Sequence, residues 1–123
     1  MGSVCTMQTV SIYKASLRAA VEWLLRSIDH GRGGSCANYS LLTGWSKPYP
    51  ETTGYLIPTL LNVSTALPDL GTERAAMAVG EWLLSIQDKE GYWFGGLHPS
   101  KLKNPSVFNT GQILKGMVAL YRH

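Results

Sequence analysis

Charge is scarce in this chain. Asp, Glu, Lys and Arg make up 15% of its 123 residues, against roughly 25% in an average soluble domain. So few charges beside a 45% hydrophobic composition imply that part of the surface is covered, by a partner subunit or by more of a longer protein. The net charge is only +3, and of the basic residues only Lys101 and Lys103 lie close together. Binding nucleic acid requires cations clustered along phosphates, so that partner is not expected. The two cysteines, Cys5 and Cys36, form no disulfide framework, and with His30, His98 and His123 they make no metal-ligand spacing. The Gly31–Gly34 run lacks the Gly-Lys-Ser/Thr ending of a phosphate loop and any preceding strand. Neither a metal nor a cofactor is expected. No apolar run approaches the about 18 residues that cross a bilayer, and the N-terminus lacks the charged and apolar regions of a secretory signal. These absences lead to the expectation of a reduced, cytoplasmic protein without a membrane span, in which the glycosylation-type tripeptides at Asn38 and Asn62 carry no meaning.

Helical periodicity is plentiful. Leu17, Ala20, Val21, Leu24, Leu25 and Ile28 form one stripe, predicting a helix from about Ser11 to Asp29. His30-Gly31-Arg32-Gly33-Gly34 ends it. After a loop over 35–50, a second helix is predicted from Glu51 or Thr52 to just before Pro68, with Pro58 kinking it or lying in its first turns. A third follows Pro68, capped by Asp69 or Thr72, and reaches Gln87. A fourth starts between Ser106 and Asn109 and carries Ile113, Leu114, Met117, Val118 and Tyr121. The fold class expected is all-α.

The halves repeat. Shifted by 59 positions, residues 19–29 meet six identities, among them Glu22/Glu81, Trp23/Trp82 and Asp29/Asp88. Shifted by 57, Thr53-Gly54 falls on Thr110-Gly111 and Leu56-Ile57 on Ile113-Leu114. A period near 58 predicts two helical hairpins in a single domain over 1–123, repeat one about 11–67 and repeat two about 69–123. Stacked hairpins bury a continuous core only against neighbours. Two of them either close as a four-helix array or form part of a ring completed by other hairpins.

The segment Gly80-Glu81-Trp82-Leu83-Leu84-Ser85-Ile86-Gln87, followed after three residues by Gly91-Tyr92-Trp93, resembles the Gln-Trp motif of squalene and oxidosqualene cyclases. Those proteins belong, with the protein prenyltransferases, to the alpha–alpha toroids. The resemblance implies a structural brace, with Gln87 bridging orphan backbone groups of helix ends, Gly91 permitting the reversal and Trp93 covering the amide. The Asp-x-Asp-Asp acid of the cyclases, the zinc ligands of the prenyltransferases and the thioester motif of complement-like members are absent from the chain. What carries over is the fold. Tyr49-Pro50-Glu51-Thr52-Thr53-Gly54-Tyr55 is similar to inner-helix starts in toroids that handle sugars.

A toroid-like arrangement would place Glu51, Thr52, Thr53 and Tyr55 on one rim with Phe108, Asn109, Thr110 and Gln112, beneath loops holding Trp45, Tyr49, Trp93, Phe94 and His98. Aromatic faces with amides and hydroxyls suit a sugar or small polyol. Glu51 is the candidate acid–base residue. A carboxylate at a helix start is held ionised by the dipole, which suits a base, and its plainer role is to stabilise the helix. Substrate-binding candidates are Trp45, Tyr49, Tyr55, His98, Asn109 and Gln112. Glycoside hydrolysis needs a second carboxylate, and Val107 or Phe108 stands at the matching place. The chain therefore reads either as a carbohydrate- or isoprenoid-active protein or as a non-catalytic helical scaffold that oligomerises, as a homo-oligomer or with missing hairpins of a longer parent.

Overall fold

A computed structural model describes residues 2–123, with side chains from Thr6 onward; the Cys5 side chain lies outside the described residues. The chain is all-α. Helix α1 spans Gly2–His30, α2 Pro50–Ala66, α3 Thr72–Ser85 and α4 Val107–Arg122. The loop after α1 carries a small hairpin, Tyr39–Ser40 (β1) with Gly44–Trp45 (β2), and a 3-10 turn at Pro68–Leu70 joins α2 to α3.

Helix α1 begins well before Ser11, because no proline or interior glycine interrupts the chain from Ser3 to His30. Its stripe is buried only in the second half. Val21 and Ile28 are buried and Leu24 and Leu25 half-buried, whereas Leu17 and Ala20 are exposed, as is everything from Thr6 to Ser16. The N-terminal half of α1 is an arm without hydrophobic cover.

Ile57, Leu60, Ala76, Val79, Leu83 and Ile113 are all but inaccessible and form the core between α2, α3 and α4. A second cluster, Val21, Val63 and Leu67, joins α1 to α2. Helices α2 and α4 run parallel and nearly touch. A Cβ on Gly54 would strike the Cα of Ile113, and one on Gly116 would strike the Gly54 carbonyl oxygen and Ile57. Pro58 lies in the interior of α2, not in its first turn. It has no N–H to give the Gly54 carbonyl, and the helix continues through it with Gly116 packed over the freed oxygen.

At the start of α3 the structure departs from the expected caps. Gly71, in the left-handed region at φ 66°, is the N-cap, and no side chain caps the helix. Asp69 is engaged elsewhere, accepting two hydrogen bonds from the Arg18 guanidinium at 2.8 and 2.9 Å. The Thr72 hydroxyl is buried without a hydrogen-bond partner.

Both halves tie their loops with the same knot. The Ser35 N–H donates to Thr53 Oγ1 at 2.8 Å, and the Tyr49 N–H donates to the Ser35 carbonyl at 2.9 Å. In the second half the Trp93 N–H donates to Thr110 Oγ1 at 3.0 Å, and the Ser106 N–H donates to the Trp93 carbonyl at 3.1 Å. The threonine of each Thr-Gly pair thus anchors the loop returning from the preceding helix. Thr53 is fully buried in this task and does not face an open rim.

Candidate functional site

The parallel course of α2 and α4 sets their N-terminal ends side by side. Pro50 opens α2 with an orphan position that needs no N–H, and Ser106 caps α4 by accepting from the Asn109 N–H at 3.1 Å. This registers Tyr49, just before α2, and Glu51, in its first turn, against Asn109 of α4. The Tyr49 phenol is held above its ordinary range, chiefly because its hydroxyl faces the Glu51 carboxylate and then because of burial; the Asn109 amide acts in the opposite sense. Asn109 is buried, its Oδ1 accepts from the Ser106 hydroxyl at 3.0 Å, and its Nδ2 has no hydrogen-bond partner. A carboxylate, a phenol and a carboxamide, its nitrogen shut off from solvent, are therefore neighbours from positions about 60 residues apart. Phe108, in the first turn of α4, is largely exposed.

The remaining candidates divide. Tyr55 is felt electrostatically by Tyr49 but opens into a separate cleft of about 280 Å³ between α1 and α2, with Trp23, Leu24, Thr52, Leu56 and Thr59. Trp45 lies with the α1 side, its ring centroid 4.8 Å from Trp23, 5.0 Å from Tyr39 and 5.5 Å from a stacked His30. Gln112 is half-buried on α4. His98 is a loop tie. Its N–H donates to the Pro48 carbonyl at 2.9 Å, its ring meets the Trp82 edge at 5.5 Å, and burial holds its pKa below the ordinary imidazole value.

The Gln87–Gly91–Trp93 segment lies at the exit of α3. Gln87 Nε2 donates to the Gly91 carbonyl at 2.8 Å, closing its own loop and reaching no neighbouring helix end. Gly91 takes φ 95°, a conformation that favours glycine. Trp93 makes the long connection. Its indole N–H donates to the Leu83 carbonyl at 2.8 Å, adding a second donor to an acceptor in the last turn of α3 that the Ile86 N–H also reaches at 3.3 Å, while its backbone is tied to α4. In the first half the place of Trp93 is taken by Ser35, hydrogen-bonded at 3.1 Å to Ser27, whose hydroxyl accepts from the Cys36 N–H at 2.9 Å. Cys36 is a free, buried thiol whose pKa is raised by that burial.

Sequence reasoning did not place Trp23 in a cleft, nor assign the two threonines as loop anchors. The signal for the threonines was the repeated Thr-Gly pair; none exists for Trp23, since its exposure depends on what lies across α2. Among the described residues, no group of three or more acidic, His or Cys side chains is arranged to hold a metal ion, and no helix is long and apolar enough to cross a membrane. No protein-family model, curated protein or solved structure matches this chain.

Proposed function

We propose that the chain is a two-hairpin unit of the alpha–alpha toroid kind that binds a neutral, polyhydroxylated ligand of the sugar class where α2 and α4 begin. The observation that carries this reading is the convergence of Tyr49, Glu51 and Asn109. The Glu51 carboxylate accepts from two vicinal hydroxyls, the Tyr49 phenol donates or accepts, the buried Asn109 holds the phenol in place, and the Tyr49 ring offers a face to the C–H side of a sugar ring. An isoprenoid diphosphate fits less well, because Glu51 would face its charge. Glu51 is the one carboxylate acting on Tyr49, which favours recognition or electrostatic support over two-carboxylate hydrolysis. The toroid reading is supported by the parallel α2 and α4 and by the matching knots at Thr53 and Thr110.

Thermal shift with saccharides and prenyl diphosphates tests it. A ligand at a hundredfold its Kd stabilises the native state by about 2.7 kcal/mol. Saccharides should raise the Tm of the wild type, with Glu51→Gln and Tyr49→Phe losing the effect. A shift of equal size in all three proteins, or one confined to the diphosphates, would remove the sugar site.

A second reading, a non-catalytic scaffold that joins further hairpins, is favoured by a separate observation: the outward face of α4 is apolar and open. Val107 and Tyr121 are almost fully exposed and Leu114 and Val118 nearly half so. Such a face fits either a homo-oligomer or missing hairpins of a longer parent.

A further inference from the structure

The internal repeat supplies a template for what covers α4. Within the chain α2 presents Gly54, Ile57 and Leu61 on one side, and α4 lays Ile113 and Gly116 against Gly54 and Ile57. The 57-residue shift carries Gly54, Ile57 and Leu61 onto Gly111, Leu114 and Val118, the open face of α4. The same shift carries Asn109, Ile113 and Gly116 back onto Thr52, Leu56 and Thr59, and these line the open cleft between α1 and α2 together with Trp23 and Leu24. One chain therefore holds counterparts of both halves of a junction that it makes internally once, with one difference. Thr59 stands for Gly116, whose missing Cβ the internal contact requires, so helices joined this way between copies sit further apart. The outer helices repeat the rule. Leu120 of α4 packs on Gly80 of α3, and the equivalent Val63 clusters with the equivalent Val21.

Gly111 adds an independent observation. A mid-helix glycine costs about 1 kcal/mol relative to alanine. At Gly54 the absent Cβ is needed, because Ile113 sits where it would be; at Gly111 nothing lies within 4 Å. The space is that which Leu56, the counterpart of Ile113, would enter. Area limits the size of the contact. The chain exposes 8130 Å², whereas a compact monomer of its mass exposes about 6,500 Å². The excess is about 1,600 Å², of which the exposed α1 arm takes part, and the remainder falls short of two full flanks of about 800 Å² each, so it matches a contact smaller than a standard interface.

We infer that the occupant is a second copy of this chain, joined head to tail: the Gly111–Leu114–Val118 face of α4 seats in the Trp23–Leu56–Thr59 cleft of the next copy. This rests on the second reading above and names its partner and surfaces. The contact is heterologous, so it closes as a ring or continues as a filament. Tyr49 and Glu51, at the helix ends, lie outside the proposed contact.

Light scattering on the full chain and on two variants tests it. Leu114→Glu spoils the α4 face, and Thr59→Glu spoils the cleft; both residues are exposed, and unchanged circular dichroism confirms the fold. The wild type should associate as concentration rises and each variant alone should stay monomeric. An equimolar mixture should give a 1:1 dimer, because one intact face then meets one intact cleft. A wild type monomeric at high micromolar concentration overturns both the assembly reading and the inference drawn from it. Association that survives either variant, or variants that fail to pair when mixed, overturns the head-to-tail junction alone and leaves assembly through another surface.

Discussion

Thr53 and Thr110 hold more of this molecule than their size suggests. Each sits one turn inside its helix, α2 or α4, and accepts the N–H of a loop residue returning from the preceding helix. Thr53 also donates to the Tyr49 carbonyl at 2.8 Å, so one hydroxyl fixes the loop and the start of α2. Thr53→Val keeps the shape and leaves the buried Ser35 N–H without its acceptor. A loss of about 1–3 kcal/mol in urea unfolding is expected; a neutral result would mean that water or a shifted loop replaces the hydroxyl. The Thr-Gly pair was legible as a repeat, but its task was not, because a hydrogen bond between residues 18 positions apart leaves no periodic trace. Glu51, Tyr49 and Asn109 were legible as helix-start residues. The Gln87 contact was not, since the same amide reaches its own loop or a neighbouring helix with equal chemistry.

Helices α2 and α4 bear on each other through missing side chains. Gly54→Ala would drive a methyl group into the Ile113 backbone, and the forced separation should cost about 1–3 kcal/mol or more. Gly111→Ala meets open space and should stabilise the isolated chain by up to about 1 kcal/mol through helix propensity alone. Chemical denaturation of dilute protein separates the two, and opposite signs are the expected result; equal destabilisation would mean that Gly111 is already in contact. The four helices themselves follow from apolar spacing and turn residues. Their caps do not: Asp69 prefers a two-toothed guanidinium contact with Arg18, a partner 51 residues away, and Gly71 takes the cap instead.

Taken whole, the chain is a small core of α2, α3 and α4 with α1 laid against α2 and its N-terminal arm projecting past it. His123 closes the opposite corner, bonding Glu73 at 2.8 Å across α4 and α3. Because every side chain from Thr6 to Ser16 is exposed, the arm has little tertiary packing to hold its helix. In hydrogen exchange on monomeric protein its amides should exchange by orders of magnitude faster than those of Ile57 to Leu60. Equal protection would show that the arm is covered in solution. The amino-acid sequence alone determined the helical class, the number of helices and the correspondence of the halves, because apolar periodicity, glycine and proline act over a few residues. The tertiary structure decided which faces meet. It set α2 and α4 parallel through two glycines, gathered Tyr49, Glu51 and Asn109, and left the Trp23 cleft and the Leu114 face bare. Those outcomes depend on close packing between segments distant in the chain, where a single Cβ decides whether two backbones can touch.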